Sequence, residues 1–597
     1  MCLILSVMAS GDTDVLRPAE PTAPAPRPGR SRAFGRFRLE HVVLTIFTLA
    51  VVAIIAAPLV EVVLRSFEKE VGLTGSAWST ANFRALNSAE MLTAARNSVI
   101  IAAGSMVVAT VLGTGLAWLV TRTDAPLRRT FTLLNLIPFF LSPLIGSIAW
   151  TYLGDPRVGL LNQLARSIGL TRGSLFSVYS LYGMVIVLGL FLTPFAMLLC
   201  SASFRQMDTS LEHAAQASGA GTWRTALRIT LPLAGPTILA AAILVFVMSI
   251  EDLSVPLVLG YSQGIHTLPT EIYESVQNFP PNYNFGAAIG VVMMVITAAC
   301  LYFQRRAVRD RGYVTVGGRS TQQAALRLGR GRWLALAVQV LYLLVAAALP
   351  LAVLVVVAFS QRWTGRIDLG HLTFGNFTAL FGSGSQVKTA LANSLILSCL
   401  AAVVVVGISV VVVYALERAR ITGRRLLEVC LTIPVAVPGL VLGVGLLTLL
   451  LRSPLFGTLW IIGIAYVVRY LPVAQRSVSA AFQAVHIELE EAARLSGAAW
   501  FGYMRRVLVP LLRPGLTAGL LLTFLTFMRE LPMSVLLHRT GTQTLSVALF
   551  NTVSFDAPGQ AAAFTLLQTA VLLVIAGVFL SITNRRGGDV AQLAVGL

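Results

Sequence analysis

This chain has few charges, few lysines and no cysteine framework. Only 12% of its 597 residues are Asp, Glu, Lys or Arg. A soluble globular chain carries about twice that fraction, so an ordinary water-soluble domain is excluded as the whole of this protein. The only lysines are Lys69 and Lys388, and neither follows a glycine. A phosphate-cradling loop of the Gly-Lys-Ser/Thr type is therefore absent, and the chain has no such means of hydrolysing a nucleoside triphosphate. The five cysteines, Cys2, Cys200, Cys300, Cys399 and Cys430, form no CxxC pair. Four of them sit in or beside apolar runs, where they read as small buried hydrophobes rather than a disulfide or metal framework. No His/Cys/Asp cluster has metal-ligand spacing, so no metal site is expected. Aromatic and basic residues do not interleave as in a nucleic-acid groove, and no nucleic acid is expected as a partner.

What the chain has in abundance is apolar sequence: 56% of residues are hydrophobic. About twelve runs approach the ~20 residues that a membrane helix needs. They lie near 42–65, 94–120, 131–153, 178–203, 236–260, 284–303, 333–359, 390–416, 426–451, 457–480, 514–537 and 562–583. The formal net charge is +19, nearly all from arginine. Arginines crowd alternate connections: Arg122, Arg128 and Arg129; Arg305 to Arg332; Arg418 to Arg425; Arg585 and Arg586. The positive-inside rule puts these connections and both termini on the cytoplasmic side of the membrane, whose lipid is an expected partner of the spans. The opening apolar run has no preceding basic residue and makes a poor signal peptide. The Pro-, Ala- and Arg-rich stretch that follows is expected to be flexible.

The two halves of the chain repeat one another. Asn82-Phe83 matches Asn376-Phe377, Asn97-Ser98 matches Asn393-Ser394, Ile137-Pro138 matches Ile433-Pro434, and Pro194 matches Pro472. The expected fold is an all-α polytopic membrane protein of about twelve transmembrane helices. Two homologous six-helix halves face the same way, related by a parallel pseudo-two-fold axis with a pathway between them. The expected boundaries are a flexible cytoplasmic tail over 1–38, a first half over 39–306, a basic linker over 307–332, a second half over 333–586 and a C-terminal tail over 587–597.

One repeated segment is not membrane-like. EHAAQASGAGTWRTALRITLP, Glu212 to Pro232, recurs as EEAARLSGAAWFGYMRRVLVP, Glu490 to Pro510. The first copy sits in a soluble-looking loop near 205–235 and the second in one near 483–513. Thr209 and Glu212 fit a capping box, Gly219 is placed to end the helix, and a second helical stretch is expected from Thr222 to Leu231, ending at Pro232. A helix-turn-helix with a small-residue face suits docking into another protein's groove; a membrane-surface hairpin is the alternative.

The pattern E-x-A-A-x-x-x-G with a closing Leu-Pro or Val-Pro resembles the EAA loop of ATP-binding-cassette (ABC) importer permeases. The resemblance covers nearly the whole chain after the tail. It implies docking residues Glu212, Ala214, Ala215 and Gly219 in one loop and Glu490, Ala492, Ala493 and Gly497 in the other. It also implies two copies of a separate ATPase subunit, which would hold the ATP and Mg, and an extracytoplasmic solute-binding protein. This chain would then be no enzyme but the membrane subunit, in a bacterial inner membrane, binding no cofactor itself.

Four charges fall inside the runs after each loop: Glu251 and Asp252 in SIEDLSVPLVLG, and Arg529 and Glu530 in FMRELPMSVLL. Charge there lines a pathway or forms an interhelical salt bridge, and Arg469 carries the same two readings. With HTLPTEIYESV and TQTLSVALFNTV, these stretches resemble the fused two-half permeases of ferric-iron importers. Permeases for thiamine, phosphonates and polyamines are similar enough to remain alternatives, and an ion-coupled secondary carrier is a reading of a different class.

Overall fold

A computed structural model describes residues 33–585 except 72–74, 310–325, 368–369, 383–384, 420, 422, 484 and 497–499. Most of the tail at 1–38, the core of the 307–332 linker, the 587–597 tail and Gly497 therefore lie outside the described residues. The first helix begins at Ala33, within the stretch expected to be a flexible tail.

The first half contains α1 (Ala33–Ser66), α2 (Ala89–Arg122), α3 (Arg128–Phe140), α4 (Pro143–Gly154) and α5 (Leu181–Gln206). It continues with α6 (Ser210–Ala217), α7 (Thr222–Ile250), α8 (Leu268–Gln277) and α9 (Tyr283–Arg309). The second half answers with α10 (Gly331–Phe359), α11 (Val387–Arg418), α12 (Arg424–Ala436), α13 (Gly439–Leu450) and α14 (Leu459–Gln483). It ends with α15 (Ile487–Leu495), α16 (Phe501–Met528), α17 (Pro532–Leu537), α18 (Leu545–Phe555) and α19 (Pro558–Arg585). A hairpin of β1 (Glu68–Val71) and β2 (Gly75–Trp78), paired antiparallel, is a small addition to the all-helical expectation.

Among the described residues, nine helices are long and apolar enough to cross a membrane, or up to eleven if two bent pairs count as spans. α14 is the remaining expected segment; it carries Arg469 and Arg476. The bent pairs are α3–α4, at 89°, and α12–α13, at 104°. The bends have a local cause. Ser142 precedes Pro143 and Val437 precedes Pro438, and a residue before proline is pushed out of the helical region. Ser142 then caps α4, its hydroxyl accepting from the Ile145 N–H at 3.2 Å.

Two further expectations fail at the same kind of place. The runs at 236–260 and 514–537 are not continuous spans: α7 stops at Ile250 and α16 at Met528, so the four charges occupy breaks. Hydropathy windows average across such a break and do not register it. Nor does the helix after each loop end at Pro232 or Pro510. It runs on as α7 and α16 through a wider turn, in which Leu231 N–H donates to Ala226 O and Val509 N–H to Met504 O. This i→i−5 pattern is a π turn. It accommodates the prolines, which have no N–H to give the ordinary ladder.

Packing follows the repeat. α2, α5 and α7 pack together in one half, and α11, α14 and α16 in the other. α1 packs on α9 and crosses to α13, while α10 packs on α19 and crosses to α4. Each half therefore wraps its first helix over the other's bent pair. α1 shows how sequence encodes this position. Leu44, Thr48, Val51, Ile55, Leu59 and Val62 are buried at helical spacing, whereas Val42, Val43, Ile46 and Leu49 are exposed. One face is packed and the other is left for lipid, whose tails are as apolar as the side chains. Close backbone approach substitutes for a hydrophobic driving force: a Cβ on Gly445 of α13 would collide with the Pro58 carbonyl of α1.

The polar matches between halves prove to be structural. Asn82 Nδ2 donates to Ser66 O and Glu68 O, and Asn376 Nδ2 to Ala358 O and Ser360 O. Asn97 Nδ2 donates to His266 O, and Asn393 Nδ2 to Gly541 O and Gln543 O. Ser98 Oγ accepts from Leu268 N–H at 2.8 Å, and Ser394 Oγ from Leu545 N–H at 2.6 Å. Each Asn-Ser pair thus fixes the start of the short helix beyond its break.

Candidate functional site

The first loop is α6 and the turn to α7. Its helix is capped differently from the expectation. Thr209 makes no side-chain cap bond. Instead Asp208 Oδ1 accepts from the Ser210 N–H and Oδ2 from the Ser210 hydroxyl, both at 2.9 Å. These bonds, the backbone one first, hold the Asp208 carboxyl below its ordinary range. Glu212 does not reach back to Thr209 because it is pulled inward: it is 2% exposed. Its Oε1 accepts from the Thr230 hydroxyl at 2.6 Å and lies 3.7 Å from Arg122 Nε. Arg122 Nη2 also donates to Met207 O at 3.1 Å. One carboxylate therefore ties α6 to the end of α2 and to the start of α7. A buried pair of this kind leaves an uncompensated charge if either partner is removed.

Gly219 has φ +82°, a left-handed conformation that glycine adopts without a steric cost. Its N–H donates to Gln216 O, and Ala220 N–H donates to Ala215 O, closing the helix. Ala214 and Gly219 are exposed and Ala215 is half-buried. Leu211 and Trp223 stand exposed beside them.

In the second loop Glu490, Ala492 and Ala493 lie on α15. Ala492 is exposed and Ala493 half-buried. Leu489, Leu495 and Phe501 are exposed apolar side chains. Arg418 occupies the place of Arg122: its Nη2 donates to Phe482 O and Val485 O. The π turns 226–230 and 504–508 fall at the same offset from the two loops.

Beyond each loop lies a break. Asp252 Oδ1 accepts from Val255 N–H at 2.9 Å. Glu530 accepts from Met533 N–H at 2.8 Å, from Ser534 N–H at 3.1 Å and from the Ser534 hydroxyl at 2.7 Å. Both carboxylates cap the turn that follows, as matched positions should. The other two charges take partners across the halves. Glu251 receives both carboxylate bonds from Arg469 Nη2, each 2.9 Å. Arg469 Nη1 also donates to Pro434 O and Val437 O at the α12–α13 bend. Arg529 donates to Phe139 O at the α3–α4 bend and lies over the Phe139 ring at 4.7 Å. Of the two readings for these charges, the structure displays interhelical contacts; Arg469 is Glu251's partner, and Glu530 is not Arg529's.

Sequence reasoning passed over one group: His266, Glu271 and Glu274, whose ligand-type atoms lie within 4.8 Å of one another. The available signal was Glu271 and Glu274 at i and i+3 on one helix, with a histidine just before its cap. A search restricted to His, Cys and Asp does not find it.

A family model described as binding-protein-dependent transport system inner membrane component matches residues 107–311 and 415–586. The chain is 27% identical over 406 residues to a probable ABC transporter permease of Sinorhizobium fredii, covering 66% of this chain and 70% of that protein. It is 24% identical over 457 residues to a putative ferric transport system permease of Haemophilus influenzae, covering 76% and 71%. It is 30% identical over 229 residues to a putative 2-aminoethylphosphonate transport system permease of Salmonella typhi, covering 38% and 86%.

Proposed function

Because the chain belongs to the family of binding-protein-dependent transport system inner membrane components, we propose that it carries ferric iron inward between its two halves. It is a multi-pass inner-membrane protein and the non-catalytic membrane component of an ABC importer. Two copies of an ATPase subunit dock on the two loops, each loop serving as the handle for one. Both termini then face the cytoplasm with the loops, and an extracytoplasmic binding protein delivers the solute to the opposite face. ATP and Mg stay on the ATPase subunits.

The observation that carries the docking reading is the Glu212 clamp. A small exposed helix is bound through one buried carboxylate to α2 and α7, so a push on the loop reaches two membrane helices directly. Iron is favoured over phosphonate by architecture: the ferric relative aligns over 457 residues, which must include parts of both halves, whereas the phosphonate relative is a shorter chain, 86% of it matched within 229 residues.

Uptake of radiolabelled ferric iron in iron-starved cells, with and without this gene, tests the substrate. Uptake that falls on deletion and returns on re-expression supports iron. Unchanged uptake in a host without a redundant importer rejects iron and directs the same assay to 2-aminoethylphosphonate. Gly219→Pro and Gly497→Pro test the loops. Both variants should insert in the membrane but lose ATPase coupling; full transport with retained ATPase binding in both would overturn the docking assignment.

A further inference from the structure

We propose that His266, Glu271 and Glu274 form a transition-metal cation site at the extracytoplasmic mouth of the pathway, present in the first half only. The proposal deepens the iron reading above and rests on it for the identity of the cation.

The location follows from the chain path. Thr222, at the start of α7, donates its hydroxyl to Arg327 O in the connection after α9. The beginning of α7 and the end of α9 therefore share the loop face. α8, which lies between the far ends of these two helices, is toward the opposite face. Tyr273 of α8 meets Phe550 of α18 with ring centroids 6.2 Å apart. These are matched positions in the repeat, since Leu268 and Leu545 are anchored alike by Ser98 and Ser394. Matched residues touch only near the axis that relates them, so the triad, on the same short helix as Tyr273, lies beside the pseudo-two-fold axis.

The geometry is that of a ligand set. His266 Nδ1 is 3.2 Å from Glu271 Oε1 and 3.4 Å from Glu274 Oε2. Ligands about 2.1 Å from a metal stand about 3.0 Å apart in an octahedral site and about 3.4 Å apart in a tetrahedral one. The Nδ1 atom is buried and accepts or donates no hydrogen bond. The surrounding groups hold the triad in place. Asn97 binds the His266 carbonyl at 3.0 Å, Asn278 binds the other Glu274 oxygen at 3.0 Å, and the Thr267–Thr270 capping box sets the start of α8. Such outer contacts orient metal ligands. One imidazole and two carboxylates suit iron-class cations better than soft-ligand metals.

The second half supplies the internal contrast. Its matched positions are Gln543, Ala548 and Asn551, which offer neither an imidazole nor a carboxylate. The scaffold is repeated and the ligand set is not, so packing of α8 does not by itself require these residues.

Tag-free full-length protein in nanodiscs, dialysed against Fe3+ buffered by nitrilotriacetate and separately against Mn2+, tests the site. Metal per chain is read by elemental analysis. The expected result is about one ion per chain in at least one of the two dialyses, reduced at least tenfold in affinity by His266→Ala and by Glu271→Gln with Glu274→Gln. The isosteric glutamines guard against loss through misfolding, and melting temperature checks both variants. No retained metal, or equal retention in well-folded variants, overturns the site and leaves an ion-pair cluster only. Metal retention with iron uptake unaffected by gene deletion would instead keep the site and reject iron as the cargo.

Discussion

The two halves agree in their backbone devices and differ in their charges. Each has an Asn-Ser anchor, a bent pair, a π turn ahead of a proline and a carboxylate capping the turn after the break. Yet at the position where the first half carries Glu251 the second carries Arg529, and both arginines that reach the other half, Arg469 and Arg529, come from the second half. Arg469 binds the bend of its own half and Glu251 of the other; Arg529 binds the bend of the first half. What the repeat preserves is geometry that backbone sterics demand. What it does not preserve are the groups that choose a partner or a ligand.

The largest test of this contrast is Arg469→Ala. It strands Glu251 in a largely buried site, and breaking a buried pair costs about 3–5 kcal/mol. Thermal unfolding in detergent should show it. Arg529→Ala strands no anion and should cost less; equal losses would mean that the cross-half ion pair is not what separates the two sites. Glu251→Gln in the Arg469→Ala background should recover part of the loss. Gly445→Val comes next, because its side chain meets the Pro58 backbone where the halves cross; overpacking costs about 1–3 kcal/mol. Gly219→Val should cost about 1–2 kcal/mol of local stability, from the positive φ alone, since nothing lies within 4 Å of an added Cβ. Proteolysis at the loop is the readout. The smallest effect is expected at Asp208, whose carboxyl is depressed and exposed. A depressed carboxyl stabilises above its unfolded pKa, and that contribution is lost as pH falls through its folded value. Asp208→Asn should therefore lower loop protection slightly at neutral pH and flatten its acid limb, the two proteins converging at low pH.

The parts legible in sequence were those with local causes. Apolar runs, the Gly219 helix end and the Asn-Ser repeats were all visible as residue types at fixed spacing, whereas the bends inside 131–153 and 426–451 fall within runs that read as continuous spans. The breaks at Glu251 and Arg529 were not visible, because a window of hydropathy counts two charges among many apolar residues and still scores a span. Nor was the direction of Glu212: its partners, Arg122 and Thr230, lie outside the short-range pattern that suggested a capping box. Glu251 and Arg469 are 218 positions apart, and no local rule pairs them. The His266 group was half visible, as two glutamates one turn apart, but the histidine's approach depends on how Asn97 holds the chain.

The π turns between each loop and its long helix have an angular meaning. An α-helix advances about 100° per residue, so the one extra residue in a π turn sets the azimuth of everything before it. The loop's facing direction about the membrane helix is therefore indexed by residue count, like a gear fixed on its shaft by one tooth. Deleting a single residue within 226–230 would turn the Glu212 side of the loop by about a quarter of a revolution, away from Arg122, without altering one residue of the docking face itself.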